Sequence, residues 1–198
     1  MATIKFYYDV VCPYAYLAFT QIQALAERNN ATIDYQPILL GGVFKSITAP
    51  QVPMNAMPTS KQQMNYWDMH RWAEHFKQPL NFPKEHPRRT VEAMRAIHAS
   101  GTPVQASQAL YKAYWVDGVD VSNRDTLKQI LHDAGLDAEQ IMSDIDAPHI
   151  KAALRQATDG AVKDGVFGVP AFVVNGELIW GQDRLHFVEK LIQGWQPT

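Results

Sequence analysis

With 198 residues, 46% of them hydrophobic and 19% charged, the chain is long enough for one domain with a sizeable core and too apolar to be disordered. Its 18 Lys and Arg against 20 Asp and Glu leave a net charge of −2, with no basic excess to suggest a nucleic-acid surface. No stretch approaches the roughly 20 apolar residues of a membrane span, and the single cysteine, Cys12, excludes a disulfide within the chain, so the expected setting is cytoplasmic and the expected partner a small molecule.

The chain opens with apolar side chains alternating at Ile4, Phe6 and Tyr8, which predicts a strand leading into Cys12. Pro13 then starts a helix with Tyr14, Ala18, Ile22 and Leu25 on one stripe and Phe19 and Ala26 beside it, ended by Asn29-Asn30. Residues 31–40 alternate at Ile33 and Tyr35 and predict a second strand. Strand, helix and strand with short joins make a right-handed βαβ unit, and so the start of a parallel sheet.

From Gly41 the texture changes to Gly-Gly followed by Pro50, Pro53 and Pro58, which reads as a loop without regular period. Helical patterns follow: one capped by Thr59 or Ser60 and reaching about His75, one over 88–99, one over 103–115, and one after a capping box of Ser122 and Asp125. Asp137 is placed to cap a short helix, and Pro148 to open another that Gly165 stops. Residues 171–174 and 177–180 flank Asn175-Gly176, whose two residues suit the positive φ angles of a type I′ hairpin turn. A last amphipathic helix is predicted from about Asp183, with Leu185, Val188, Leu191 and Ile192 on its apolar face. The order is β-α-β, an all-helical insertion, then β-β-α.

The chemistry centres on Cys12. A strand ending in Cys-Pro places the sulfur at a helix N-terminus, where free backbone N–H groups and the macrodipole favour a thiolate. Position 15, where a dithiol motif needs its second cysteine, holds Ala15. The seven histidines show no ligand spacing; His70 and His75, five apart, do not share a helix face, and no metal site is expected.

The opening YYDVVCPYAYLA resembles that of the 2-hydroxychromene-2-carboxylate isomerases and their relatives, the kappa-class glutathione transferases, in the DsbA-like branch of the thioredoxin superfamily. The resemblance extends to ILLGGVFK, RWAEHF followed by PLNFP, HPRRT, VFGVPAFVV and WGQDRL, and so covers nearly the whole chain. It implies an α/β thioredoxin-like fold, with residues 1–40 and 166–198 forming the thioredoxin-like domain and 41–165 a loop plus helical insertion. It also implies a glutathione-dependent isomerase of aromatic-acid catabolism, a homodimer with glutathione as cofactor, and Cys12 as the catalytic residue beside the glutathione sulfur.

In such proteins the Val169-Pro170 bond is cis and leaves the backbone of Val169 free to pair with the cysteine moiety of glutathione. The segment Gln182-Asp183-Arg184 would hold the γ-glutamyl end, with Asp183 meeting its ammonium, and Lys61 would meet the glycine carboxylate. Without the resemblance, Asp183 serves equally as a helix cap and Arg184 and Lys61 as solvated charges. Tyr14, Tyr16 and Trp180 are candidates for an aromatic substrate pocket or for core packing, and Arg88 and Arg89 for a carboxylate contact or for exposed charge. The chain departs from the family in two places. Relatives generally carry serine where this chain has Cys12, and a Gly-Asn pair is missing near Thr48 to Pro50. A thiol is a weaker, longer donor than a hydroxyl, which keeps two other readings open: a kappa-like transferase or monothiol oxidoreductase using Cys12 covalently, and a non-catalytic glutathione-binding redox sensor.

Overall fold

The computed structural model describes residues 1–197. Its sheet has four strands: β1 (Thr3–Tyr8), β2 (Thr32–Pro37), β3 (Ala171–Val174) and β4 (Glu177–Trp180), in the order β2-β1-β3-β4. β1 is parallel to β2 and antiparallel to β3, and β3 is antiparallel to β4. This is the thioredoxin-like β-α-β and β-β-α arrangement that the sequence predicts. The hairpin turn has φ of 53° at Asn175 and 87° at Gly176, the left-handed values that an Asn-Gly pair accepts with least strain.

Register places Phe6, Phe172 and Ile179 on one face of the sheet and Tyr7, Ala171 and Trp180 on the other. The first face is aromatic: Phe6 stacks on Phe172 with centroids 5.1 Å apart and meets Phe19 of helix α1 (Pro13–Arg28). On the second face, Tyr7 Oη and Lys5 Nζ donate to the Asp164 carboxylate at 2.7 and 3.0 Å. Asp164 immediately follows α8 (Pro148–Lys163), so two side chains of the central strand fix the end of that helix against the sheet.

Between the two halves of the sheet lie α2 (Leu40–Ser46), α3 (Thr59–His75), α4 (Val91–Ala99), α5 (Pro103–Trp115), α6 (Arg124–Asp133), α7 (Ala138–Asp144) and α8. The last helix is α9 (Leu185–Ile192). One hydrophobic cluster runs from Phe6 and Tyr8 through Phe19 and Tyr111 to Trp115, Leu131 and Leu154, so the insertion and the sheet share a core. No helix among the described residues is long and apolar enough to cross a membrane.

Several expectations are corrected. The segment after Leu39 is a helix and not a loop, followed by a short 3-10 turn at Pro53–Ala56. Glycine is needed at position 42 because a Cβ there would lie 3.0 Å from Thr158 Cγ2 of α8, so Gly41-Gly42 permits close helix packing where its composition reads as a break. Strand β2 ends at Pro37, three residues before the predicted limit. Thr59 begins α3 behind Pro58, without a side-chain cap. The cap of α6 is Asn123, accepting from the N–H groups of Asp125 and Thr126 at 3.0 Å, because the Ser122 hydroxyl is taken by Asp120 at 2.6 Å. Helix α4 starts at Val91 and not at 88, and residues 182–184 form a 3-10 turn ahead of α9. Asp137 does cap α7, accepting from Gln140 N at 3.1 Å.

The glycine at the α2–α8 crossing gives a direct test. Replacing Gly42 by Leu drives a branched side chain into Thr158 and separates the two helices, and should cost about 1–3 kcal/mol. Urea unfolding should show a lower midpoint with an unchanged slope.

Candidate active site at the start of helix α1

Cys12 caps α1 with extended backbone, φ −93° and ψ 118°, and Pro13 fills the first helical position, where its missing N–H costs nothing. The Asp9–Cys12 turn is closed by Cys12 N donating to Asp9 O at 3.1 Å. Helix α5 holds the turn from outside, with Trp115 Nε1 donating to Val10 O at 2.8 Å and Tyr111 Oη to Asp9 O at 3.3 Å.

The Asp9 side chain fastens the same turn from within. It is 1% exposed, and its carboxylate accepts from Val11 N at 3.1 Å, Leu40 N at 2.9 Å and Thr90 Oγ1 at 2.9 Å. The β1–α1 turn is thereby joined to the start of α2 and to the residue that leads into α4. Thr90 turns to Asp9 and makes no capping bond to its own helix. Burial pushes the Asp9 carboxyl up to about 6, and the donors from Leu40, Val11 and Thr90 hold it back.

Across the sheet, the Val169–Pro170 peptide is cis, as the Gly-Val-Pro motif implies. A second cis bond, His86–Pro87, is not signalled by any motif read above. Cys12 Sγ donates to Val169 O at 3.1 Å, which joins the helix start to the proline loop. Val169 itself is buried, and its N–H has no backbone partner among the described residues. Gly181 N donates to Pro170 O at 3.0 Å, so the 181–184 turn is fixed to the same loop.

The protonation of Cys12 differs from the sequence-based expectation. The N–H groups of Tyr14 and Ala15 do face the sulfur and favour a thiolate, but burial outweighs them and Asp9 opposes them, so the thiol is pushed up to about 12. Cys12 is therefore a neutral thiol that donates a hydrogen bond.

The other candidates separate into two groups. Tyr14 is half-buried and lies within electrostatic reach of Cys12, Asp183 and Asp68, which brings α1, α3 and the 182–184 turn to one rim. On that rim Gln182 is buried, Asp183 is exposed, and Arg184 Nη1 donates to Trp180 O at 2.9 Å and pairs with Asp183 at 3.2 Å. Lys61 is exposed in the first turn of α3. Tyr16 is 5% exposed and donates to Pro79 O at 2.9 Å, the core-packing arrangement. Arg89 forms a two-point pair with Glu92, and Arg88 pairs with Glu85 and Asp120, so both guanidiniums are engaged with carboxylates. Thr48 adopts φ 57°, the left-handed conformation that glycine or asparagine takes more readily. No group of three or more His, Cys, Asp or Glu is placed to hold a metal among the described residues.

Sequence reasoning missed Asp9 and Thr90. The only local signal was an acidic residue at the end of an apolar strand, three positions before the cysteine.

A model of the DSBA-like thioredoxin domain matches residues 3–193. The chain is 31% identical over 192 residues to a 2-hydroxychromene-2-carboxylate isomerase of Sphingobium xenophagum, covering 96% of this chain and 97% of that protein. It is 26% identical over 207 residues to human glutathione S-transferase kappa 1, covering 96% and 90% of the two chains. A solved 2-hydroxychromene-2-carboxylate isomerase superposes with a TM-score of 0.80 at 25% identity, over 96% of this chain and 94% of that one.

Two measurements follow from the site's electrostatics. At pH 8 the free protein should react with iodoacetamide about tenfold or more slowly than free cysteine, because only thiolate attacks; a rate equal to that of free cysteine would contradict a buried thiol. For Asp9, a folded pKa raised from 3.8 to about 6 means that the folded state binds the proton more tightly than the unfolded chain. Its contribution to stability therefore declines as pH rises from about 4 to about 6. Unfolding titrations should show this decline in the wild type and a reduced slope in Asp9→Asn.

Proposed function

The chain belongs to the DsbA-like thioredoxin family, and we propose that within it this protein is a glutathione-dependent isomerase of 2-hydroxychromene-2-carboxylate or a close aromatic analogue. The observation that carries the reading is the chemical state of Cys12: a lone, protonated thiol facing the loop of a cis-proline, with Ala15 where a resolving cysteine would sit. Such a sulfur is a poor nucleophile and a competent donor.

The residues around it fit a γ-glutamyl tripeptide. The free N–H of Val169 offers one strand-like pairing position beside the sulfur. Asp183 suits the ammonium of the γ-glutamyl end, with Gln182 and Arg184 beside it, and Lys61 suits the glycine carboxylate. When bound, glutathione would supply a thiolate for reversible conjugate addition to the open-ring α,β-unsaturated keto acid, the chemistry that allows rotation about the former double bond before elimination. The chain's own part is to steady that thiolate. Cys12 exchanges its bond to Val169 O for one to the incoming sulfur, and the N–H groups at the start of α1 add their partial positive charge. The Asp9 carboxylate disfavours ionisation of Cys12 itself, so the proton stays on the donor. We place the function in the cytoplasm, the default for a chain with one cysteine, and take the working unit as a homodimer, as the family resemblance implies.

The assay is conversion of 2-hydroxychromene-2-carboxylate by the purified protein, followed by absorbance with and without glutathione. Conversion is expected only with glutathione, and no conversion under either condition would sink the reading. Cys12→Ser should keep or raise the rate, since a hydroxyl is the stronger donor. Loss of activity in that variant, together with a glutathione adduct on Cys12 in the wild type, would favour a covalent kappa-like or oxidoreductase mechanism. Glutathione binding without turnover of any electrophile would favour a redox-sensing module.

A further inference from the structure

Most large aromatic side chains near the sheet are packed inside, but two beside the proline loop are not. Phe167 is 48% exposed and Trp180 43% exposed, and their rings lie 5.2 Å apart at 48°. Trp180 ends β4, which runs in the same direction as β1 because both are antiparallel to β3, so it emerges at the same end of the sheet as Cys12, with its side chain on the face opposite α1. Phe167 stands two residues before Val169, whose carbonyl accepts from Cys12 Sγ at 3.1 Å. With about 3.8 Å between successive Cα atoms, the Phe167 backbone is within roughly 8 Å of Val169.

The pair is built into the loop. A Cβ at Gly168 would lie 3.0 Å from Trp180 Nε1, so the glycine between Phe167 and Val169 is what lets the indole lie against this segment. The Arg184 guanidinium carbon is 5.8 Å from the centre of the Trp180 ring, and its Nη1 is fixed by the Trp180 carbonyl and by Asp183. Nε and Nη2 of Arg184 have no hydrogen bond among the described residues. The result is an open aromatic surface with free cationic donors at its edge, at the end of the sheet where the proline loop lies. Flat π surface matches an aromatic ring, and a guanidinium matches a carboxylate.

We infer that Phe167 and Trp180, with Arg184 at their edge, form the stacking platform for the ring and carboxylate of a planar aromatic acid. This rests on the proposed isomerase reading for the identity of the reacting substrate, but it concerns a binding surface that can be probed separately. The pair would set specificity for aromatic over aliphatic unsaturated acids.

The test uses the full chain and coumarin-3-carboxylate, a planar aromatic acid, as the probe, titrated calorimetrically in the absence of glutathione. Trp180→Leu and Phe167→Leu should each weaken binding about tenfold, while Trp180→Phe retains most of it. The neutral ethyl ester of the probe should bind more weakly than the acid to the wild type. Glutathione affinity, measured on the same variants, should change little, which shows that they remain folded. Undetectable probe binding to the wild type, or equal binding to the wild type and the Phe167→Leu/Trp180→Leu double variant, overturns the inference. So does a double variant that changes only the oligomeric state in sedimentation, which would make the surface a contact with a second copy of the chain. If the probe binds through these residues but the chromene acid is not turned over, the isomerase reading fails and the platform stands.

Discussion

The hydrogen bond from Cys12 to the Val169 carbonyl, 3.1 Å long between residues 157 positions apart, is the point at which the fold and the chemistry meet. It requires β1 and β3 to be antiparallel neighbours, α1 to begin at Pro13, and the chain to turn at the cis bond before Pro170. A thiol is a weak donor, so this bond does not hold the structure together. It is an outcome that stronger interactions must deliver.

Those stronger interactions converge on the turn that bears the cysteine. An ionised carboxylate is costly to bury unless several donors replace its water, and the donors to Asp9 come from three places: its own turn, the start of α2 and the residue ahead of α4. Two of them, Leu40 N and Thr90 Oγ1, are in place only when α2 and the segment ahead of α4 have docked on the sheet. The cost of burying Asp9 is thus offset only in the fully assembled fold, which couples the position of the helical insertion to the position of the sulfur. Tyr111 and Trp115 of α5 reinforce the coupling by donating to the main-chain carbonyls of the same turn.

This division explains which parts of the molecule were legible in the sequence. Elements with a local cause were readable: the Asn175-Gly176 turn, Pro at the start of α1, α5 and α8, and the Asp137 cap. Features with a distant cause were not. Gly41-Gly42 reads as a helix breaker until Thr158 is known to press against it from α8, and Ser122 reads as a cap until Asp120 is seen to hold its hydroxyl. The fold of the candidate site was readable because Cys-Pro is a local signal for a helix start and the family resemblance of the Gly-Val-Pro segment implies a cis-proline loop. Its electrostatics were not. Helix-terminal N–H groups are a property of the sequence around Cys12, whereas burial of the sulfur and of Asp9 depends on residues as distant as Thr90, Tyr111 and Val169.

The same burial changes what a lone cysteine is fit to do. A nucleophilic thiol needs a low pKa, and the start of a helix can provide it, as the N–H groups of Tyr14 and Ala15 would here in a wetter site. A thiol that steadies another molecule's thiolate needs the reverse, since its own proton must be held more tightly than that of its partner. Removal of the second cysteine alone would leave a reactive monothiol at the helix start. Enclosing the sulfur and placing the Asp9 carboxylate beneath its turn raise its pKa instead, which makes a donor out of a position that local geometry would make a nucleophile. On the proposed reading, this thiol fills through its surroundings a role that a hydroxyl would fill by its nature.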